Sequence, residues 1–389
     1  MRKSRFDAIV VGGGPAGSAA SFALASKGLS VCLIDKSAFP RDKLCGGMLT
    51  LRSKAIFEKV FLANWDPIIE TVATGCDFYH KGTLLNSVRD YKETFFTSRY
   101  SFDAFLLALS ESQGVYLIQN AIIKDISLDS NSLILNTGPR LYYDFLIGAD
   151  GVHSLVARKL FGRSFMRNRI ALGLQMDVPV DNRHKMIPHP EIYFGVVKWG
   201  YGWVFPKATH LTVGMGGLLS QNSDLKCSLL QFLRQRFDAI PDSKISGHYI
   251  PCGDYRKVPG KDNVLLCGDA AGLVDPITGE GIAYAMESGH YAAQAVFEAY
   301  DSGKAHSAYA QYITKYRSIQ RSLSLANILR YLIFPRITGH LFIKALPKTN
   351  TIPKKHIDLM SGDVSYESYV QFLARKLSSA LLKTIFRVG

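Results

Sequence analysis

A chain of 389 residues, 47% hydrophobic and 20% charged, is long enough for two domains with cores of their own and has the composition of a globular protein rather than a disordered one. Its six cysteines (Cys32, Cys45, Cys76, Cys227, Cys252, Cys267) show no CxxC or paired spacing and its ten histidines no HExxH, so disulfides, a zinc site and any other metal site are set aside. The net charge of +14 comes without a nucleic-acid-binding motif, and no run of 18 uncharged apolar residues offers a transmembrane helix.

At the N-terminus, Met1-Arg2-Lys3-Ser4-Arg5 before an apolar run, with Ala23-Leu24-Ala25 beyond it, imitates a secretory signal and its cleavage site. Asp7 and three consecutive glycines interrupt the imitation, and strand, turn and helix account for the stretch. Residues 8–11 read as a strand, Gly12-Gly13-Gly14-Pro15-Ala16-Gly17 as a turn, residues 15–27 as a helix and residues 31–34 as a second strand, which together make a βαβ unit. In such a unit Gly12 permits the tight turn, Gly14 lets backbone approach a diphosphate at the helix N-terminus, and Gly17 allows close helix-to-strand packing. Asp35, followed by Lys36, ends the second strand, where an acid accepts hydrogen bonds from ribose hydroxyls and disfavours a 2′-phosphate. The spacing predicts a dinucleotide and leaves FAD and NAD both open.

Further along, a helix is predicted over 101–114 and strands over 115–119, 121–127, 132–136 and 141–147. The nucleotide-binding fold is therefore discontinuous, resuming near Lys257 and ending in a long helix from Gly279 to about Asp301. Residues 171–248 alternate as strands rich in Tyr, Phe, Val and Trp around one helix, 223–237, and predict an antiparallel sheet. The fold class is α/β (α+β overall): a Rossmann-like domain from 1–75, 100–165 and 255–310, a sheet domain from 76–99 and 166–254, and a helical region from 311–389. That last region carries thirteen Lys and Arg against three acids from Gln311 onward. From Tyr366 to Arg387 its apolar residues, Tyr369, Phe372 and Leu373 among them, fall at helical spacing. Basic amphipathic helices either lie on an anionic bilayer surface or pack on the main body with a solvated basic face, and the two readings stand level.

Two distant segments decide between the dinucleotides by resemblance. Leu146-Ile147-Gly148-Ala149-Asp150-Gly151 and residues 263–281 resemble the second and third fingerprints of the FAD-dependent hydroxylase superfamily, with its p-hydroxybenzoate hydroxylase-like fold. The resemblance implies FAD, with Asp150, Gly268 and Asp269 beside its ribityl and diphosphate region. It also implies that Pro276, Gly279, Glu280, Gly281 and Ile282 lie beside the isoalloxazine ring, where the helix start stabilises the anionic reduced flavin. Arg99, just before a helix, corresponds to the superfamily's cofactor-flanking arginine; the plainer alternative is a surface salt bridge.

Phe39-Pro40-Arg41-Asp42-Lys43-Leu44-Cys45-Gly46-Gly47 and Tyr201-Gly202-Trp203-Val204-Phe205-Pro206 further resemble the geranylgeranyl reductase family, a likeness reaching to about Tyr316. It implies reduction of isolated double bonds in an isoprenoid lipid, with the cytoplasm, or the inner face of a membrane, as the location. Such an alkene needs hydride from flavin, a proton and a dry pocket. Cys45, Tyr201 and Trp203 are the catalytic candidates. Cys45 and Gly46 sit near the ring by resemblance, with an inert buried thiol as the alternative. Arg41 and Lys43 bind a phosphate or an anionic head group, or are merely solvated. Tyr193, Phe194, Tyr201, Trp203 and Phe205 are expected to line a tunnel, with up to half of them in the plain core. No second GxGxxG unit is present for a nicotinamide, so NADPH, NADH and a reduced ferredoxin, an electron-donor protein, all remain open as donor. Two other functions compete. One is an oxygen-using monooxygenase or halogenase, against which Tyr201 replaces the first Trp of the halogenase WxWxIP signature; the other is a non-catalytic lipid-binding flavoprotein.

Overall fold

Strand β1, Arg5–Val11, is buried on both faces from Ala8 to Val11, as an unbroken Ala-Ile-Val-Val run demands at the centre of a parallel sheet. It leads into helix α1, Pro15–Ala25, and the chain returns as β2, Val31–Ile34, parallel to β1. The other side of β1 pairs in parallel with Arg140–Gly148, which in turn pairs with Val264–Leu266, so the nucleotide fold is assembled from segments more than 100 residues apart. This computed structural model describes residues 4–385 apart from 137, 139, 182, 183, 239 and 349; Met1, Arg2, Lys3 and Arg387 lie outside them. Among the described residues the first sheet has eight strands, with the antiparallel pair Ile123–Ser127 and Ser132–Leu135 attached to Arg140–Gly148.

A seven-stranded sheet stands beside it in the order Ser246–Ile250, Ala171–Pro179, His210–Leu218, Gly200–Pro206, Glu191–Phe194, Cys76–His80, Thr83–Val88. Its neighbours are antiparallel except Glu191–Phe194 with Cys76–His80, which run parallel and correct the expectation of a wholly antiparallel sheet. The reason is connectivity: these two strands lie over 100 residues apart in the chain and are not constrained by a hairpin. A small sheet of Met48–Thr50, Thr94–Phe96 and Thr71–Ala73 packs on the seven-stranded sheet through Phe96, Trp203 and Phe205.

The helices follow in chain order. Helix α2 is Leu51–Phe61, with Thr50 as its N-cap, and α3 is Arg99–Ser112. The latter starts two residues before the predicted boundary because the Ser98 hydroxyl accepts from Ser101 N and caps it there. Helix α4 is Leu155–Phe161 and α5 is Leu225–Phe237, whose Leu229, Phe232 and Leu233 cover one face of the seven-stranded sheet. Helix α6, Ile282–Asp301, begins three residues later than predicted, because residues 275–280 close a loop of their own. In it Gly279 N donates to Asp275 O and Asp275 N to Glu280 O.

Helices α7 (Ala308–Ile333), α8 (Arg336–Ala345), α9 (Thr351–Ser361) and α10 (Tyr366–Ile385) form the last layer. Leu329, Ile333, Ile352, Leu359, Tyr366 and Tyr369 make one buried cluster with Ile277 of the loop before α6. Of the two readings for this region, the described residues follow packing on the main body, while Ile328 and Leu332 of α7 stay exposed.

Candidate functional site

The turn between β1 and α1 is built as the glycines require. Gly12 has φ +104°, and a Cβ on it would stand 2.4 Å from Ala149 O; one on Gly17 would stand 1.8 Å from Gly12 O. Gly14 is different: around its Cβ position only the guanidinium tips of Arg41 and Arg99 come within 4 Å, at 3.9 Å each. Gly14, Pro15 and Ala16 line an open cleft of about 780 Å³. Its other walls are Lys43, Leu44, Cys45, Arg99, Asp269 and the start of α6 at Gly281 and Ile282.

Helices α1 and α6 both end in this cleft with no side-chain cap and no acid in the first turn. Their free N–H groups and positive dipole ends therefore face an anion's place from two directions. Asp35, nearly buried, accepts from Gly13 N at 2.7 Å and from Ser37 N at 2.8 Å, which fixes its carboxylate at the end of β2. Arg99 pairs bidentately with Asp103, both contacts 2.6 Å, and Arg41 reaches the same carboxylate at 3.2 Å. Arg99 is buried, so the surface-salt-bridge alternative is corrected. Lys43 lies 3.7 Å from Asp269. Burial, and after it the charge of Arg99, hold its ammonium below the usual lysine range. His248, on the edge strand across the cleft, has a buried Nε2 without a partner among the described residues, and burial pushes its pKa down to about 4. Two uncapped helix ends, a clustered positive charge and an orphaned imidazole nitrogen fit a dinucleotide diphosphate and a polar ring system.

The remaining predicted residues divide. Cys45 lines the cleft, and its Sγ accepts from Gly47 N at 3.3 Å. Gly46 packs under Phe205, whose ring would be 2.8 Å from a Cβ there. Asp150 uses both carboxylate oxygens to cap α4, on Ser154 Oγ and Leu155 N, while its neighbours Ala149 and Gly151 form the cleft wall. Gly268 is buried beneath the cleft and its N donates to Ser288 Oγ. Lys36 is exposed. Gly279 faces the cleft, Pro276 faces an adjoining hollow, and Glu280 turns away to Thr50 and Arg52.

That adjoining hollow, about 490 Å³, shares Gly279 and Ile250 with the cleft and holds Trp203 in its wall. Through Tyr201, Ile277 and Phe334 it shares a wall with a third cavity of about 780 Å³. This last one is bounded by Met48, Phe78, Ile192 and Phe194 below and by Ile333 and Phe342 of the C-terminal helices above. The Tyr201 hydroxyl donates to Thr278 O between cavity and cleft, and burial raises its pKa, so it serves as a fixed donor. Tyr193 and Phe205 leave the tunnel expected of them. Strand alternation turns Ile192 and Phe194 to the cavity and Tyr193 to α5, where it meets Phe232 and stacks on Tyr79. Phe205 packs on Phe96 in a separate small core.

A family model described as FAD dependent oxidoreductase matches residues 7–132, and one described as tryptophan halogenase matches residues 82–331. A menaquinone reductase of Mycobacterium tuberculosis is 30% identical over 321 residues, 74% of this chain and 76% of that protein. The geranylgeranyl diphosphate reductase of Rhodobacter capsulatus is 28% identical over 320 residues, 77% of each chain. A solved structure described as geranylgeranyl bacteriochlorophyll reductase-like, from Thermoplasma acidophilum, has a TM-score of 0.79 at 23% identity, covering 96% of this chain and 99% of that one. The chain belongs to the FAD-dependent geranylgeranyl reductase family. Flavin-dependent halogenases share the fold: a brominase has a TM-score of 0.73 at 18% identity, over 96% of this chain and all of that one. As a geranylgeranyl reductase family member the protein is an FAD-dependent oxidoreductase, which removes the non-catalytic alternative.

Proposed function

We propose that this enzyme saturates isolated C=C bonds of a geranylgeranyl-type chain carried on a lipid, and that the chain lies in the large cavity beside the flavin cleft. The observation that carries the proposal is the lining of that cavity, which is mainly apolar side chains and reaches the flavin loop at Tyr201 and Thr278. The names of the menaquinone reductase and geranylgeranyl diphosphate reductase relatives support an isoprenoid occupant.

FAD, when bound and reduced, supplies a hydride. The protein's residues do the rest. Gly14, Pro15 and Ala16 at the start of α1 would hold the diphosphate, with Arg41, Lys43 and Arg99 around it. Asp35 would take the adenosine ribose, and Asp269, Gly279, Gly281 and Ile282 the ribityl and ring region. Cys45 and the Tyr201–Trp203 strand would border the reacting bond. Met48, Ile192, Phe194 and Ile333 exclude water, so that no solvent competes at the alkene.

The products formed from geranylgeraniol test the assignment. Turnover in air with NADPH, NADH or reduced ferredoxin as electron donor should give a product that has gained two hydrogens per double bond and no heavier atom. A product carrying oxygen or halogen, with the double bonds retained, would replace it with the monooxygenase or halogenase reading.

A further inference from the structure

One hydroxyl on the wall of the large cavity leads to a buried acid. Thr50 ends the strand Met48–Thr50 and caps α2, its Oγ1 accepting from Ser53 N at 3.3 Å. It lines the cavity together with Tyr201 and Thr278, the residues nearest the flavin loop. Behind it, Glu280 Oε1 stands 2.9 Å from Thr50 Oγ1 and 3.4 Å from Ser53 Oγ, and Oε2 stands 3.4 Å from Arg52. The Glu280 side chain keeps 13% of its surface exposed, whereas Thr50 keeps 3%. A largely buried carboxyl that keeps a small exposed face is thus joined through one hydroxyl to the dry interior. Among the other polar groups on the wall, Tyr201 donates to Thr278 O, Thr94 donates to Ala73 O, Thr278 Oγ1 accepts from Glu280 N, Lys92 pairs with Asp358 and Asp363, and His356 faces Tyr369.

We propose that Glu280 and Thr50 form the relay that carries the proton for C=C reduction from solvent into the cavity. The relay rests on the reductase assignment above. The step balances as follows. One alkene carbon gains a hydride, a hydrogen with its electron pair, at the expense of reduced FAD. The π pair takes the proton of Thr50 Oγ1–H at the neighbouring carbon, Thr50 takes the carboxyl proton of Glu280, and the Glu280 carboxylate is reprotonated from water. Two C–H bonds form, the π bond is lost, and no charge is left in the cavity. A threonine hydroxyl suits this because it accepts and donates at once.

The surroundings favour a carboxyl that holds its proton. Burial raises Glu280 against the opposing charge of Arg52 on α2 and the opposing hydrogen bonds from Thr50 and Ser53, and Asp275 of the loop adds to the rise. Tyr284 and Glu287 of α6 face the same guanidinium, and Tyr366 of α10 faces Asp275.

The FAD-loaded chain, reduced chemically without oxygen and mixed with geranylgeraniol in detergent, tests the relay. Flavin reoxidation is followed against pH in water and deuterium oxide for the wild type, Thr50→Val, Thr50→Ser and Glu280→Gln. General acid catalysis contributes about 10²–10⁴-fold, so Thr50→Val and Glu280→Gln should lose that much. Thr50→Ser should recover most of it, and Glu280→Gln should lose both the fall in rate with rising pH and the solvent isotope effect. Infrared difference spectra of the holoenzyme across the same pH range give a readout without turnover, a protonated-carboxyl band absent from Glu280→Gln. An active wild type with Thr50→Val equally fast and identical in pH profile, or a carboxyl band unchanged in Glu280→Gln, overturns the relay alone. A wild type that no isoprenoid alcohol reoxidises overturns the reductase assignment and the relay with it. If Glu280→Gln does not retain FAD, Thr50→Val and Thr50→Ser still decide the matter.

Discussion

Asp35 shows how much one side chain can carry. It fixes the Gly13 and Ser37 amides while keeping lone pairs for a ribose. Hydrogen bonds to charged groups are each worth about 1.5–3 kcal/mol, so Asp35→Ala should weaken FAD binding by roughly ten- to a hundredfold, measured by titrating apoprotein with FAD and following fluorescence. Unchanged affinity would remove Asp35 from the cofactor site. His356 makes the matching case for pH. Burial holds its pKa at about 4 in the folded chain, below its unfolded value near 6.5. A depressed pKa gives stability that is full above the unfolded value and is lost as pH falls from about 6.5 through 4. His248 shifts in the same direction, so His356→Gln should flatten the acid limb of a denaturation series in part, not wholly. An unaltered limb would show that His356 protonates without cost.

Among the elements, the loop from Asp275 to Gly281 joins the two halves of the site. Asp275 accepts from Ile277 N and Thr278 N within the loop and from the Tyr366 hydroxyl at the start of α10. The last helical layer therefore holds the segment that closes the flavin cleft. Tyr366→Phe leaves a buried carboxyl one partner short, which costs about 1–3 kcal/mol, and should lower unfolding stability in urea by that amount. It should also shift the bound-flavin absorption spectrum, since Gly279 and Gly281 lie on that loop; a stability loss with an unmoved spectrum would confine Tyr366 to packing. This contact spans 91 residues and the Thr50–Glu280 contact spans 230, and neither leaves a mark in local spacing. Gly12, Gly17 and Asp35 were legible because backbone sterics and a βαβ unit are local matters. Tyr193 and Phe205 make up the share left to the plain core, and which residues those would be was not legible because alternation gives the period of a strand and not which face meets the cavity.

For the whole molecule, three hollows in series run from the flavin cleft to the apolar cavity beneath α7 to α9. The sequence foretold the cleft through its motifs. It foretold part of the cavity wall, at Phe194 and Tyr201, but not the roof, which is made by a C-terminal region that carries no motif and whose apolar residues read equally well as a membrane face. No described helix is long and apolar enough to cross a membrane. For the isoprenoid lipid proposed above, the excess of basic residues beyond Gln311 and the exposed Ile328 and Leu332 lead us to propose collection from an anionic bilayer surface. Co-sedimentation should then occur with vesicles containing phosphatidylserine and fall with added salt. Equal recovery with neutral vesicles would contradict an electrostatic contact.

The central claim is that reduced flavin passes its hydride to an isoprenoid double bond rather than to oxygen. The measurement that tests it most directly is anaerobic: flavin absorbance is followed after geranylgeraniol is added to the chemically reduced holoenzyme. Reoxidation without oxygen, in proportion to double bonds lost, is the predicted result. A flavin that stays reduced until air is admitted, and then reoxidises faster because the lipid is present, would contradict it.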